Sequence, residues 1–154
     1  MKTESNLEYK VGEVTLGYKR RKSIIAHKRI LSSVDSANIF RQIYKPNTIE
    51  YKEYFYILLL NNNNDVLYYS IISEGNITES LVDVRIIMQA ALLVNATQII
   101  LCHNHPSGNL IPSIQDKQMT NKIIQAGNIM NIRILDHIIL TVNEYYSFND
   151  NGLM

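Results

Sequence analysis

Ile99-Ile100-Leu101-Cys102-His103-Asn104-His105-Pro106-Ser107-Gly108 is the stretch on which the fold turns. Its first four residues form an unbroken apolar run and read as a buried strand. His103 and His105 stand at the end of that strand, and Pro106 and Gly108 then turn the chain. Side chains alternate along extended backbone, so residues two apart point the same way and both imidazoles can face one ion. Asp116 follows after ten intervening residues, in the first turn of an amphipathic helix that begins at Ser113. Two imidazole nitrogens, one carboxylate oxygen and an open fourth position make the ligand set of a catalytic zinc.

Each of these residues also has a plainer reading. Ser113-Ile114-Gln115-Asp116 has the form of a capping box, with Ser113 as N-cap and Asp116 three residues on. Taken alone, that pair is weighted toward capping, because such caps are common. The His-x-His pair just upstream tips the weight toward a metal, and the two roles are compatible.

Outward from this segment the chain reads as one domain. Glu53 opens a hairpin whose arms are Tyr54–Leu60 and Val66–Ile72, joined by Asn61-Asn62-Asn63-Asn64-Asp65. Asparagine tolerates the left-handed conformations that tight turns need. Val34 to Tyr44 reads as a short helix with Ala37, Phe40 and Tyr44 on one face. Leu81 to Asn95 is the clearest helix. Val82, Ile86, Ala90 and Val94 form its stripe, Ile87 and Ala91 widen it, and Thr78 or Ser80 would cap it. A helix apolar nearly all round is expected to be covered on two sides. A third helix runs from Ser113 to Met130, with Met119, Ile123, Ala126 and Met130 facing inward. Ile132 to Thr141 and Glu144 to Phe148 read as closing strands, and Glu13 to Tyr18 as an early one. The pattern predicts an α+β (α/β-like) fold, a mixed central sheet with flanking helices. Residues 1–10 are expected to be a flexible N-terminus and residues 11–154 a single domain.

Composition narrows the function classes. Of 154 residues, 46% are hydrophobic and 19% charged, a globular and not a disordered balance. A net charge of +1 gives no global field toward nucleic acid or membrane. A single cysteine excludes an internal disulfide and fits a reducing compartment. Met1 to Lys10 has no apolar core of signal-peptide length, and no apolar run approaches the ~18 residues of a membrane span. A cytoplasmic protein is the expectation.

The string His103-Asn104-His105-Pro106-Ser107-Gly108, followed by Ser113 and Asp116, resembles the metal motif of the JAB/MPN+ (JAMM) metallohydrolases. With Asp136-His137 and Tyr146-Ser147-Phe148 downstream, it resembles the RadC branch of that family. The resemblance runs from about Glu53 to Phe148. It implies a JAB/MPN-like fold and one zinc per chain on His103, His105 and Asp116. It also implies a characteristic serine at Ser113 and a catalytic glutamate at the start of a strand, best matched by Glu53. RadC proteins often carry a helix-hairpin-helix region before this domain, and no copy of it is read here.

The reaction so implied is metal-assisted hydrolysis, with Glu53 moving the proton of the attacking water and Ser113 donating to the developing oxyanion. The family resemblance adds amide or isopeptide bonds, and hence a peptide or protein-conjugate substrate. The residues alone support hydrolysis at a polarised carbonyl or phosphoryl centre, and two histidines with a carboxylate also suit iron and other divalent ions. Glu74, after the second arm of the hairpin, competes with Glu53 as the base. The alternative reading is a nucleic-acid-associated, DNA-repair type module with a structural or regulatory metal. It rests on the cationic stretch Lys19-Arg20-Arg21-Lys22 with His27-Lys28-Arg29. A solvated cationic surface is the weightier account of that stretch. Cys102 should face away from His103 as a buried small residue. His137, embedded in an apolar strand, is read as structural together with Asp136, and Tyr145-Tyr146 as packing.

Overall fold

A computed structural model describes residues 29–75 and 82–154. The expectations for residues 1–10, the strand at Glu13–Tyr18, the cationic stretch before Arg29 and a cap at Thr78 or Ser80 fall outside these residues. The described chain is an α+β fold built on one mixed five-stranded sheet with three helices. Its elements in order are α1 (Ser33–Ile43), β1 (Tyr54–Leu60), β2 (Val66–Glu74), α2 (Val84–Leu93), β3 (Gln98–Asn104), α3 (Ile114–Met130), β4 (Arg133–Leu140) and β5 (Tyr145–Ser147).

The strand order is β2-β1-β3-β4-β5. The hairpin β1–β2 and the pair β1–β3 are antiparallel, β3–β4 is parallel, and β5 closes antiparallel on β4. The parallel pair requires a crossover, which α3 supplies. Strands β1 and β3 are buried at every position, as expected for central strands covered on both faces. The alternation sorts their residues into two cores. Tyr54, Tyr56, Leu58, Ile100 and Cys102 pack with Ala37 and Phe40 of α1. Phe55, Ile57, Leu59, Ile99 and Leu101 pack with Ile87 and Ala91 of α2 and Ile123 of α3. The sheet is therefore the middle layer, with α1 on one face and α2 and α3 on the other.

Local chemistry accounts for the element ends. Ser32 caps α1, its hydroxyl accepting from the Asp35 amide at 3.3 Å. In the asparagine turn, the Asn61 side chain accepts from the amides of Asn63 (2.9 Å) and Asp65 (3.0 Å), and Asn64 takes the left-handed conformation at φ 62°. Helix α3 ends at Asn131, also left-handed at φ 55°.

Three expectations are corrected. Helix α2 starts at Val84, and its cap is Asp83, whose carboxylate accepts from the Arg85 amide at 2.8 Å. Its buried face is Ile87, Met88 and Ala91, while Ile86, Leu92 and Leu93 are 45%, 59% and 77% exposed. Arg85 and Gln89, four residues apart, mark the exposed face of α2, and the buried face opposite them lies about one residue round from the expected stripe. In α3 the buried line is Thr120, Ile123 and Gly127, and Met130 is exposed.

Gly127 lets the end of α3 lie against the start of β4, where the Ile132 amide donates to the Gly127 carbonyl at 2.8 Å. A Cβ at this position would collide with the Ile132 backbone oxygen. Helix propensity alone would make Gly127→Ala stabilising by about 1 kcal/mol. We expect the reverse, a net loss of about 1–3 kcal/mol from overpacking against backbone that cannot step aside. Chemical denaturation measures it, and a variant as stable as the parent would show that the contact relaxes.

Candidate metal centre

The site forms where β3 runs out. Pairing with β1 sets Phe55 opposite His103, and pairing with β4 sets His137 opposite Leu101. Beyond Asn104, Gly108 adopts φ 76° and its amide closes a turn on the His105 carbonyl at 3.0 Å. That turn brings His105 back over His103, and the N-terminal turn of α3 brings Asp116. One ligand atom from each of His103, His105 and Asp116 lies within 4.8 Å of the others. The two Nε2 atoms are 2.9 Å apart. Asp116 Oδ1 stands 3.3 Å from His103 Nε2, and Oδ2 stands 3.6 Å from His105 Nε2.

The chemistry of these donors fits a cation. His105 Nδ1 faces the Asn109 carbonyl oxygen at 2.6 Å. A carbonyl can only accept, so the proton of neutral His105 is on Nδ1 and its Nε2 is bare. That bare nitrogen points at a second imidazole nitrogen and a carboxylate. Three electron-rich atoms held this close repel one another unless a positive charge lies among them, and two nitrogens with one oxygen suit zinc. The titration behaviour follows the same logic. Burial alone would lower the His105 pKa, but the Asp116 carboxylate and the Asn109 carbonyl raise it above its ordinary value. Burial pushes Asp116 up, yet the imidazoles of His103 and His105 hold its carboxyl well below the usual carboxylate range.

Capping box and candidate ligand coexist at α3. The Ser113 hydroxyl accepts from the Asp116 amide at 3.0 Å, and the Ser113 amide donates to Asp116 Oδ2 at 2.7 Å. The cap uses a lone pair of the Ser113 oxygen and leaves its hydrogen available to a third group.

Glu53 and Glu74 part company. Glu53 lines the same cleft as His103, His105, Ser113 and Asp116, a cavity of about 710 Å³. Glu74 points elsewhere, bound to Lys45 at 2.7 Å and Lys52 at 3.2 Å, and those ammonium groups hold its carboxyl below the ordinary range. The position of Glu53 is set by Asn104, the residue between the histidines. Its side chain projects to the opposite face of the sheet, donates to the carbonyls of Ile49 (2.7 Å) and Lys52 (2.9 Å), and accepts from the Tyr54 amide at 2.8 Å. One buried amide thus ties the segment carrying Glu53 to the strand carrying His103.

Asp136 and His137 divide. The Asp136 carboxylate accepts from the Ser147 hydroxyl (2.6 Å) and the Asn149 amide (3.0 Å), a structural tie to the end of β5. His137 does more than the structural part expected of it. It lines the cleft, its Nε2 is 2.8 Å from His103 Nδ1, and its Nδ1 is 2.6 Å from the Thr120 hydroxyl. Burial holds its pKa well below the ordinary value, so it is neutral. A polar threonine on the inward face of α3 was the sequence signal for this contact. Cys102 faces the α1 side, buried near Tyr44, and burial pushes its thiol pKa up. Among the described residues, no helix is long and apolar enough to cross a membrane.

Comparison with known proteins agrees with this architecture. The profile of the RadC-like JAB domain matches residues 30–153. A protein named only UPF0758 protein from Flavobacterium johnsoniae is 44% identical over 144 residues, covering 93% of this chain and 62% of the relative. A UPF0758 protein from Chlorobaculum tepidum is 42% identical over 105 residues, covering 68% of this chain and 47% of its own length. One from Symbiobacterium thermophilum is 40% identical over 102 residues, covering 66% and 44%. The chain spans less than two thirds of the length of these relatives. It belongs to the RadC-like JAB domain family.

Elemental analysis of protein purified without added metal is expected to find one divalent ion per chain. The double variant His103→Ala/His105→Ala should lose that ion while keeping its far-ultraviolet circular dichroism, since β3 is held by β1 and β4 along its length. Full occupancy in the double variant would remove these histidines from the ligand set.

Proposed function

We propose that this chain is a zinc-dependent hydrolase that cleaves amide or isopeptide bonds, with a peptide or protein conjugate as substrate. His103, His105 and Asp116 hold the zinc, Glu53 moves the proton and Ser113 stabilises the oxyanion. The observation that carries this reading is the meeting of three ligand atoms within 4.8 Å in a cleft that Glu53 and Ser113 also line. Membership of the JAB family supports the same reaction class. When bound, the ion supplies a Lewis acid and makes water a nucleophile near neutral pH.

The chain's own groups supply the rest. The Glu53 carboxylate, fixed through the Asn104 staple, takes the proton of the attacking water and returns it to the leaving amine. The Ser113 hydroxyl, its lone pair already engaged by the Asp116 amide, aims its hydrogen at the oxygen that becomes negative. Phe55 and Met119, also in the cleft wall, give an apolar contact for the substrate and strengthen the electrostatics by keeping water out.

A panel of fluorogenic peptides and isopeptide conjugates, assayed with and without chelator, tests the reading, and turnover that survives complete zinc removal would sink it. On a substrate so found, Glu53→Gln is expected to lower turnover by about 10²–10⁴ with zinc retained, and Glu74→Gln to leave it within a few-fold. The opposite ranking would move the base to Glu74.

Ser113→Ala separates cap from catalysis. Loss of the cap should cost about 1 kcal/mol in a thermal melt, and loss of the oxyanion donor about 10²–10³ in turnover. A lowered melt with unchanged turnover would reduce Ser113 to a helix cap.

A further inference from the structure

Resting on the reading of His103, His105 and Asp116 as a metal site, we propose that Thr120 and His137 are positioning residues that fix the tautomer of His103, so that its bare Nε2 faces the ion. Neither is a ligand; both act through His103.

The inference follows from counting protons, starting at the group with no choice. The Asp116 backbone carbonyl lies 2.6 Å from the Thr120 hydroxyl and can only accept, so the Thr120 hydrogen is spent there. Thr120 Oγ1 is then left as an acceptor for its other close neighbour, His137 Nδ1 at 2.6 Å, which must carry a hydrogen. His137 is buried, its ring lies against Phe55 and Phe148, and neither of its nitrogens is hydrogen-bonded to a carboxylate that would hold a second proton on it, so it carries one proton only. With that proton on Nδ1, its Nε2 is an acceptor. The group 2.8 Å away, His103 Nδ1, must therefore donate, which leaves His103 Nε2 with a free electron pair. The Asn109 carbonyl imposes the same tautomer on His105 from the other side of the site.

The chain begins at the backbone of Asp116 and ends on the ring of His103, so it joins two ligands of the site through α3 and β4. Such partners orient a ligating imidazole and raise its basicity, and their loss typically weakens metal binding about 10–100-fold. A threonine in the buried line of a helix is otherwise served equally well by valine, which has the same shape but no hydroxyl.

The test compares Thr120→Val, which keeps the packing, with Thr120→Ser, which keeps the hydroxyl. Long-range proton–nitrogen NMR of the metal-free protein at alkaline pH, where the imidazoles are neutral, reads the tautomer of His103. Chelator competition reads zinc affinity. The parent and Thr120→Ser are expected to show His103 protonated on Nδ1 and to bind zinc within a few-fold of each other. Thr120→Val should lose that single tautomer and bind zinc about 10–100-fold more weakly, with His137→Phe changing in the same direction. His103 protonated on Nε2 in the parent, or parental zinc affinity in Thr120→Val, overturns the inference. If the parent takes up no zinc at all, the metal reading falls, and the tautomer of His103 still decides this inference alone.

Discussion

Everything at the site depends on a central strand that has no freedom to twist or slip. β3 is hydrogen-bonded on both edges, antiparallel to β1 and parallel to β4, and buried on both faces. A slip of one residue would turn every side chain to the wrong face. With the register locked, Cys102 and Asn104 must go toward α1 while His103 goes toward α3. The pleat thus divides labour among adjacent residues: His103 presents a nitrogen to the cleft, and Asn104, pointing the other way, holds the loop that carries Glu53.

Much of this was legible from the residues in order. The hairpin arms, the asparagine turn, the β3 run and the Ser113 cap depend on local spacing, and the structure reproduces them within a residue or two. Helix α2 is harder, because only Arg85 and Gln89 mark its outer face and several exposed apolar residues blur the stripe. His103, His105, Ser113 and Asp116 can be brought to one cleft on paper because they lie within one strand end, loop and helix turn, whereas Glu53, far back in the chain, is placed there only by the family resemblance. His137 looks structural in the sequence because its neighbours there are apolar. Its polar contacts come from β3 and α3, which the parallel crossover sets beside it, and no spacing within β4 encodes that. Asn104 is hidden for a related reason: its partners lie about 50 residues back, at Ile49, Lys52 and Tyr54.

The N-terminal turn of α3 shows how one short motif serves stability and chemistry together. A capping box normally satisfies two amides and is finished. Here the acidic partner keeps Oδ1 directed at His103, and the serine keeps a hydrogen to give away. The Ser113 amide also holds Asp116 Oδ2, so the cap itself orients the carboxylate toward the two histidines.

The three candidate ligand side chains are nevertheless not held with equal strength, and on the proposed metal reading this bears on how an ion would come and go. His103 belongs to a strand that moves only if the sheet opens. Asp116 sits in the first turn of a helix, the part of a helix that frays most readily, because its amides have no partners in a preceding turn. Unwinding that turn breaks the Ser113 amide's hydrogen bond to the carboxylate while the sheet stays intact. On the proposed metal reading, an ion could therefore leave through the unwinding of a single helical turn, without the sheet opening.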